Sequence, residues 1–453
     1  MTNTAQDFEN KARPLAESLI EYATEEGKQY NITDVKISIS ANDELETEVE
    51  KGKIARNVAG TTHQVTVTLY SDDRVMGFTK NTLDEYELRS TIDQNMQAIH
   101  IVPENSDKRL LDADKLYTGA KQDLNLYDAT PPSQDTLLTY AKDVEAAAMA
   151  VDGTKTTRSV SISKDETHSL ILATNGLDIQ ESKTMYSAGA SVIAEDDDGM
   201  KIDGEMTIAR HFSDLSDATE LGKQAGENAV SKLGATLPDT GEYPIVLDND
   251  AAQGFFSSVF SAIDGTAVYQ GATFMKDKLG QQVMNESVTI VDNPRLEKGR
   301  SSRVVDTAGL ECNEITFIKD GILESFNVSL MEARQLDIEP IGRENGRTNS
   351  RVLPGKDTPE ELMSDIKEGI YIKGFNGGTV KINDGTYSRQ AYGNLIKDGK
   401  VTDTAVEGFV VSGNLKEMFM DLSLANDTPE QPESKYSLAA PTTRINGITI
   451  AGK

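Results

Sequence analysis

Residues 369–415 read GIYIKGFNGGTVKINDGTYSRQAYGNLIKDGKVTDTAVEGFVVSGNL, and they decide the fold of the C-terminal half. Short β-prone runs alternate with Gly-containing turns at Gly377-Gly378, Asn383-Asp384-Gly385 and Lys397-Asp398-Gly399. Asp-Gly supplies the positive φ angles that tight hairpin turns require. The stretch predicts a compact β meander closing on Ser412-Gly413-Asn414-Leu415, where a helix opens over 415–422 with Asn414 as its cap.

Outward from the meander, Thr358 as N-cap, Pro359 at N1 and Glu361 at N3 mark a helix that ends at Gly369. Ile318-Lys319-Asp320-Gly321-Ile322 repeats the hairpin pattern of Ile396–Gly399. A polar, Pro-containing loop covers 427–434, and a last strand covers 445–450. A strand at Tyr243–Leu247 precedes a helix over 251–265, with Phe255, Phe256, Val259, Phe260 and Ile263 as its core stripe.

The first half reads as a duplication. A helix over 7–26 (Phe8, Ala12, Leu15, Leu19, Tyr22 on one face) precedes strands at 35–40 and 65–69, and a second helix starts at Thr82 with Glu85 completing a capping box. The order recurs: a helix from Ser133 to Val151, strands at 160–163 and 188–194, and a helix over 217–233. "VKISIS" and "RSVSIS" each follow a helix and a Gly. Linkers at Ala129–Pro132 and Leu237–Gly241 complete the division. The expectation is an α+β chain: an N-terminal unit (1–118), a related second unit (119–236) and a β-rich C-terminal domain (237–453).

The 453 residues carry a formal charge of −29 with no Lys/Arg cluster, which argues against a nucleic-acid binder or a partner of anionic membranes. Cys312 is the only cysteine, so no internal disulfide forms. The polar N-terminus has no apolar signal region, and no run is long enough to span a bilayer. A cytoplasmic protein is expected.

The search for chemistry returns little. The four histidines, His63, His100, His168 and His211, are scattered, and none has a second His three to five residues away. They read as surface or strand residues rather than zinc ligands. The acidic run Glu195–Asp198 before Gly199 lacks calcium-loop spacing and reads as a charged turn. No nucleophile elbow or phosphate loop occurs, and Gly374–Gly378 reads as a turn. Cys312 reads as a small buried hydrophobe. Arg343, Arg347 and Arg351 either hold a carboxylate or phosphate or offset local acidic surface.

The order "GIY…GG.V…G.YSR.A.G..I.dGk…G…sGNL" in 369–415 resembles the C-terminal domain of the TldD/PmbA peptidase family. The likeness extends over nearly the whole chain, through Ala194–Met200, Leu221–Ala225, Tyr243–Asp248 and Ser325–Gly342. Catalytic members of that family carry HExxxH on the helix after the Tyr243–Leu247 strand and a further Cys ligand near the C-terminus. Around Ser257 to Ile263 this chain has no His or Glu, and 428–438 has no Cys. The resemblance therefore places it with the PmbA (TldE) branch. That branch is the metal-free half of a cytoplasmic zinc peptidase that acts on unfolded peptides, linked to maturation of a peptide antibiotic and removal of an antitoxin and once labelled a modulator of DNA gyrase.

The resemblance implies no catalytic or metal-binding residue and no cofactor in this chain, with zinc in an HExxxH-bearing TldD-like partner. The 348–361 stretch looks closer to the catalytic branch, which leaves self-association as a dimer open. The alternative is a stand-alone homodimeric peptide-binding protein without proteolysis. A third reading is a hydrolase using Asp384, Tyr387, Ser388 and Arg389, although no nearby His supplies Ser388 with a base. The residues expected to touch peptide or partner are Asp384, Tyr387, Ser388, Arg389 and Asn414. Their plain alternative role is turn formation and helix capping.

Overall fold

The computed structural model describes residues 5–197, 199–430 and 437–453. The chain opens with α1 (Ala5–Gly27), then β1 (Ile32–Glu50), β2 (Lys53–Ser71), β3 (Arg74–Lys80) and α2 (Glu85–Ala98). The same kinds of element follow in the same order: α3 (Gln134–Met149), β4 (Thr154–Ala173), β5 (Asp178–Asp196), β6 (Gly199–Ala209) and α4 (Ala218–Val230). The six strands make one antiparallel sheet, ordered β3-β2-β1-β4-β5-β6. β1 and β4 join its halves along Lys36↔Ala173 to Val49↔Val160.

Strand alternation fixes which face is covered. Val35, Ile37, Ile39 and Val49 share one side of β1. The first three pack under α1 and α2 (Leu19, Leu88, Ile92), and Val49 packs under α3 and α4 (Leu137, Val144, Leu221). All four helices therefore lie on one face of the sheet. Gly222 lets α3 and α4 approach, because a Cβ there would stand 2.1 Å from the Val144 carbonyl oxygen. On the opposite face, Ile171 and Ile179 pack beneath Leu110, Leu116 and Val305, which ties the sheet to later chain.

The remainder is richer in strands. β7 (Gly241–Leu247) leads into α5 (Asn249–Ala262) and α6 (Gly265–Tyr269). Then come β8 (Ile290–Asn293), β9 (Ile315–Lys319), β10 (Ile322–Leu323), α7 (Leu330–Gln335), β11 (Asn349–Val352) and α8 (Pro359–Met363). The meander is β12 (Glu368–Val380), β13 (Thr386–Lys397) and β14 (Lys400–Asn414), followed by α9 (Leu415–Met420), β15 (Leu422–Leu424), β16 (Leu438–Ala439) and β17 (Thr443–Ala451). One sheet runs β10-β9-β8-β11-β16. The other runs β14-β13-β12-β7-β17-β15, and β14 pairs back onto β17 at Val410↔Ala451, so five strands close into a barrel with β15 as a branch. Phe255, Phe256 and Val259 of α5 join Ile245, Leu247, Ile370 and Ile372 in the core.

Three local readings change. Gly377 and Gly378 are not a turn: they lie inside β12 at φ 106° and 102°, where the pairing with β13 is irregular between Phe375 and Gly378. A Cβ on Gly378 would meet the Ser388 carbonyl oxygen at 2.3 Å, so glycine serves a bulge against β13 here. Asp84, not Thr82, caps α2, accepting from the Glu87 amide at 2.9 Å; the Thr82 hydroxyl accepts from the Asp84 amide instead. The helix capped by Thr358 stops at Met363, and Gly369 belongs to β12. Part of the 427–434 loop falls outside the described residues. Among the described residues no helix is long and apolar enough to cross a membrane.

Candidate functional site

α5 sits where the resemblance expects chemistry. Its N-cap is Asp248, whose carboxylate accepts from the Ala251 amide at 2.8 Å. Burial pushes the Asp248 carboxyl up to about 7, the Ala251 amide opposes that shift, and neighbouring Asp250 adds to it. Along the helix the hydroxyls turn inward on the backbone. Ser257 donates to the Gly254 carbonyl at 2.8 Å, Ser258 to that of Phe255, and Ser261 to that of Ser257 at 3.5 Å. Between them Phe255 packs edge-on against Phe256, Tyr387 and Phe419, and Phe260 against Phe317.

The segment entering 428–438 is fastened beside this helix. The Arg347 guanidinium stands 4.7 Å over the Phe260 ring and donates to the Ser437 carbonyl at 2.7 Å. Arg351 donates to the carbonyls of Pro429 (3.0 Å) and Thr428 (3.1 Å). Asn249 donates to the carbonyls of Asp427 (3.3 Å) and Ala440 (2.9 Å). Arg343 is fully buried and paired with fully buried Asp292 at 2.9 Å. The arginine cluster thus meets the first sequence alternative only at Arg343, and there the carboxylate is the chain's own Asp292. Arg343 neutralises an internal carboxylate, while Arg347 and Arg351 are spent partly on main-chain carbonyls.

A second polar group lies where β6, α4 and the barrel meet. Lys232 bridges Asp203 at 2.8 Å with its ammonium 3.5 Å from the Tyr392 ring centre, and Lys201 bridges Glu407 at 2.5 Å. Burial raises the Glu205 carboxyl, with Asp250 and Asp203 adding and the Met206 amide and Asn228 side chain opposing. Burial and the carboxylates Asp203, Asp248 and Asp250 push the Tyr392 phenol well above its ordinary value. A cavity of about 10 Å³ here, lined by Lys232, Lys373, Tyr392, Asn394 and Glu407, has room for about one water. The ion pairs tie β6 and the end of α4 to the barrel; among the described residues this junction offers no nucleophile beside a base.

The five residues expected at a contact site are brought into one region with structural roles. Asp384 accepts from the Thr386 amide at 2.9 Å and closes the hairpin, which lowers its carboxyl below the ordinary range. Tyr387 is buried among Phe255 and Phe375, and its hydroxyl has no partner among the described residues. Ser388 pairs between Thr379 and Ser412 in the sheet. Arg389 donates to the Gly377 carbonyl at 2.7 Å and lies 5.0 Å over the Phe375 ring. Asn414 caps α9 through the Lys416 amide (3.0 Å) and donates to the Asp384 carbonyl (3.1 Å).

Sequence reasoning missed Asp248, although an Asp between an apolar strand and a helix was a visible cap signal. It also missed the depth of His168, which is fully buried in β4, 3.2 Å from Glu166 and 2.8 Å from the Ser182 hydroxyl.

A strand–helix unit at β7–α5, joined to a closed barrel and a six-stranded sheet, defines an α+β chain. The central-domain model of the PmbA/TldA metallopeptidases matches residues 127–233, and the C-terminal-domain model matches residues 240–452. The chain belongs to the PmbA/TldD family. It is 26% identical over 389 residues to "Metalloprotease PmbA" of Escherichia coli O157:H7, covering 85% of each chain. It is 24% identical over 448 residues to "Metalloprotease PmbA homolog" of Haemophilus influenzae, covering 98% of this chain and 97% of that one. To "Metalloprotease TldD homolog" of the same species it is 28% identical over 347 residues, covering 68% and 70%. Two solved structures share the fold. One, from Bacteroides thetaiotaomicron and described as a modulator of DNA gyrase, has a TM-score of 0.89 at 23% identity over the full length of both chains. The other, TldE from Thermococcus kodakarensis, has a TM-score of 0.81 at 17% identity, covering 97% of this chain and all of that one.

The family's description implies a metal, and α5 does not fit one. Zinc takes thiolate, imidazole or carboxylate donors. From 255 to 261 the helix presents Phe, Ser and Val, with its hydroxyls bonded to its own carbonyls. Among the described residues no group of three or more His, Cys, Asp or Glu is placed to hold a metal ion.

Proposed function

We propose that this chain is a non-catalytic, PmbA/TldE-like subunit of a cytoplasmic TldD-type zinc metallopeptidase that degrades or matures unfolded peptides. The observation that carries this reading is α5: the helix after β7 is built as an aromatic core element with spent hydroxyls, in a family described by its metallopeptidase domains. Such a subunit contributes walls to a chamber and main-chain hydrogen-bonding surface to an extended substrate. The zinc and the hydrolytic step belong to an HExxxH-bearing partner.

The same reading divides the chain at 118/119 and 236/237. The mirrored strand order about the β1–β4 seam supports treating the first two units as a duplication.

The test is zinc content and peptidase activity on an unfolded peptide, for the chain alone, its HExxxH-bearing relative alone, and their mixture. Zinc-free, inactive chain that raises the relative's activity on mixing is the expected result. Stoichiometric zinc or cleavage by the chain alone overturns the reading, and no effect on mixing favours a stand-alone peptide binder.

A further inference from the structure

β2 is longer than the structure around it requires. Its second half, Val65–Ser71, pairs with β3 and packs under α1 and α2. Its first half, residues 53–64, pairs with β1 alone. Lys53–Asn57 and Ala59–Thr62 are exposed, and Ile54 shows 51% of its surface to solvent. Among the described residues this length of strand has no outer neighbour and little core beneath it.

Long uncovered edges invite pairing, and proteins ordinarily blunt them. The other two edges of this sheet are blunted. On β6 the Gly204 amide donates to Asp203 (2.8 Å), the Met206 amide to Glu205 (3.0 Å), and the Gly204 carbonyl accepts from Asn228 (3.1 Å). β3 is flanked by the chain after α2, through Asn105 N to Asp73 O at 2.6 Å and Arg74 Nε to Val102 O at 3.0 Å. Along residues 54–63 of β2, no side chain or loop among the described residues bonds the outer backbone.

Charge selects the occupant. Glu44, Glu46, Glu48 and Glu50 recur at every second position of β1 and so share one face, opposite Gly60, Val58, Arg56 and Lys53 of β2. Among the described residues, two of the four have ion pairs: Glu46 with Arg56 at 2.9 Å and Glu50 with Lys51 at 3.1 Å. An added strand would lie two strand spacings from β1, roughly 9–10 Å, which is within lysine reach and about one Debye length. The chain's net charge of −29 disfavours a second copy at the same edge.

We propose that residues 54–63 of β2 form a docking edge on which an extended, basic peptide adds as a further strand. Its backbone takes up the free outer groups of β2, and its Lys or Arg side chains lie over the Glu44–Glu50 row. The proposal shares with the preceding section only the premise that extended peptide is the ligand; it needs neither zinc nor a partner subunit.

The test is fluorescence anisotropy with the full chain alone and a labelled, unfolded peptide alternating Lys with Val, at low and high salt. Controls are the same peptide N-methylated throughout and a Glu/Val counterpart. The Lys/Val peptide is expected to bind, with salt weakening it and both controls failing. Replacing Glu44, Glu46 and Glu48 together by Gln is expected to weaken binding about tenfold at low salt and little at high salt. Val58→Pro and Ala59→Pro are made singly, because N–H directions alternate along a strand and only one of the two points outward. The outward variant keeps the wild-type melting temperature and loses binding about tenfold or more; the inward one melts lower.

No binding, or binding indifferent to the glutamines and to the Pro variant that melts normally, overturns the proposal. Sedimentation showing a dimer that this Pro variant dissolves, without peptide binding, assigns the edge to a second copy and overturns it as well. Stimulation of the HExxxH-bearing relative by the same Pro variant separates the two ideas: retained stimulation leaves the subunit reading standing while this edge falls.

Discussion

Arg343→Met puts the buried Arg343–Asp292 pair to a direct test. The guanidinium and the Asp292 carboxylate are both fully buried. Arg343 donates to Asp292 through Nε at 2.9 Å, to Gly342 O at 3.0 Å and to Asn313 O at 2.8 Å. Asp292 also accepts from the Thr348 amide and hydroxyl and from the Ser350 hydroxyl at 2.7 Å. Methionine fills the stem of the arginine but leaves a buried carboxylate with neutral donors only. Breaking a buried pair from one side is worth about 3–5 kcal/mol. With a urea dependence of about 2–3 kcal/mol/M, the midpoint should fall by about 1–2.5 M. The chain has no Trp, so far-ultraviolet circular dichroism is the suitable probe. Asp292→Asn added to Arg343→Met removes the stranded charge while keeping an acceptor for Thr348 and Ser350, and should recover about half of the loss. A midpoint shift below about 0.3 M for Arg343→Met, or further damage from the added Asn, would refute the view that the pair matters through its uncompensated charge.

Asp248 has a folded-state pKa near 7, above its unfolded value, so its contribution to stability falls as pH rises from about 4 to about 7. Asp248→Asn, which still caps α5, should therefore flatten that decline and stabilise the protein near pH 8 by on the order of 2 kcal/mol in urea titrations. Glu166 behaves oppositely: the His168 hydrogen bond leads in holding its carboxyl down to about 2, with Lys164 and Tyr127 assisting. Its contribution is present above about pH 4 and lost as pH falls toward 2, so Glu166→Gln should flatten acid unfolding over that window in circular-dichroism titrations. Tyr387→Phe removes a buried hydroxyl without a partner and should leave the melting temperature unchanged or slightly raised, whereas Tyr387→Ala should lose about 3–5 kcal/mol. A loss of peptide binding in Tyr387→Phe at unchanged stability would return that residue to the contact site.

The chain's punctuation was legible because it acts locally. Thr358 with Glu361 and Asn414 cap the helices expected of them, and Ser133 and Asp217, where two further helices were expected to begin, are the N-caps of those helices. Asp320-Gly321 and Asp398-Gly399 take the positive φ values their hairpins need. Gly377-Gly378 was misread because a glycine pair signals positive φ without saying whether the chain reverses or only bulges; the partner strand β13 decides that. The closure of β14 onto β17 was invisible for a related reason, since no local pattern encodes which distant strand a barrel edge meets. At the candidate site, the mismatch of α5 to zinc was legible from residue types. The fates of Arg343, Arg347 and Arg351 were not, because their partners Asp292, Ser437 and Thr428 are remote in sequence.

The barrel's closure also sets an order of assembly. β7 lies between β12 and β17, and the seam is stitched beyond the strands by the Gly452 amide on the Thr240 hydroxyl, 212 residues apart, and by the Lys453 amide on the Pro238 carbonyl. During synthesis β7 emerges early with two unmet edges and waits for both neighbours, while the sheet of residues 32–209 already has all six of its strands. The first half can therefore condense on the ribosome, whereas the second stays open until its final strand is free. A bulky fusion placed directly after Lys453 should slow closure far more than one placed ahead of α1, and the unsealed β7 edge is where a chaperone would be most needed.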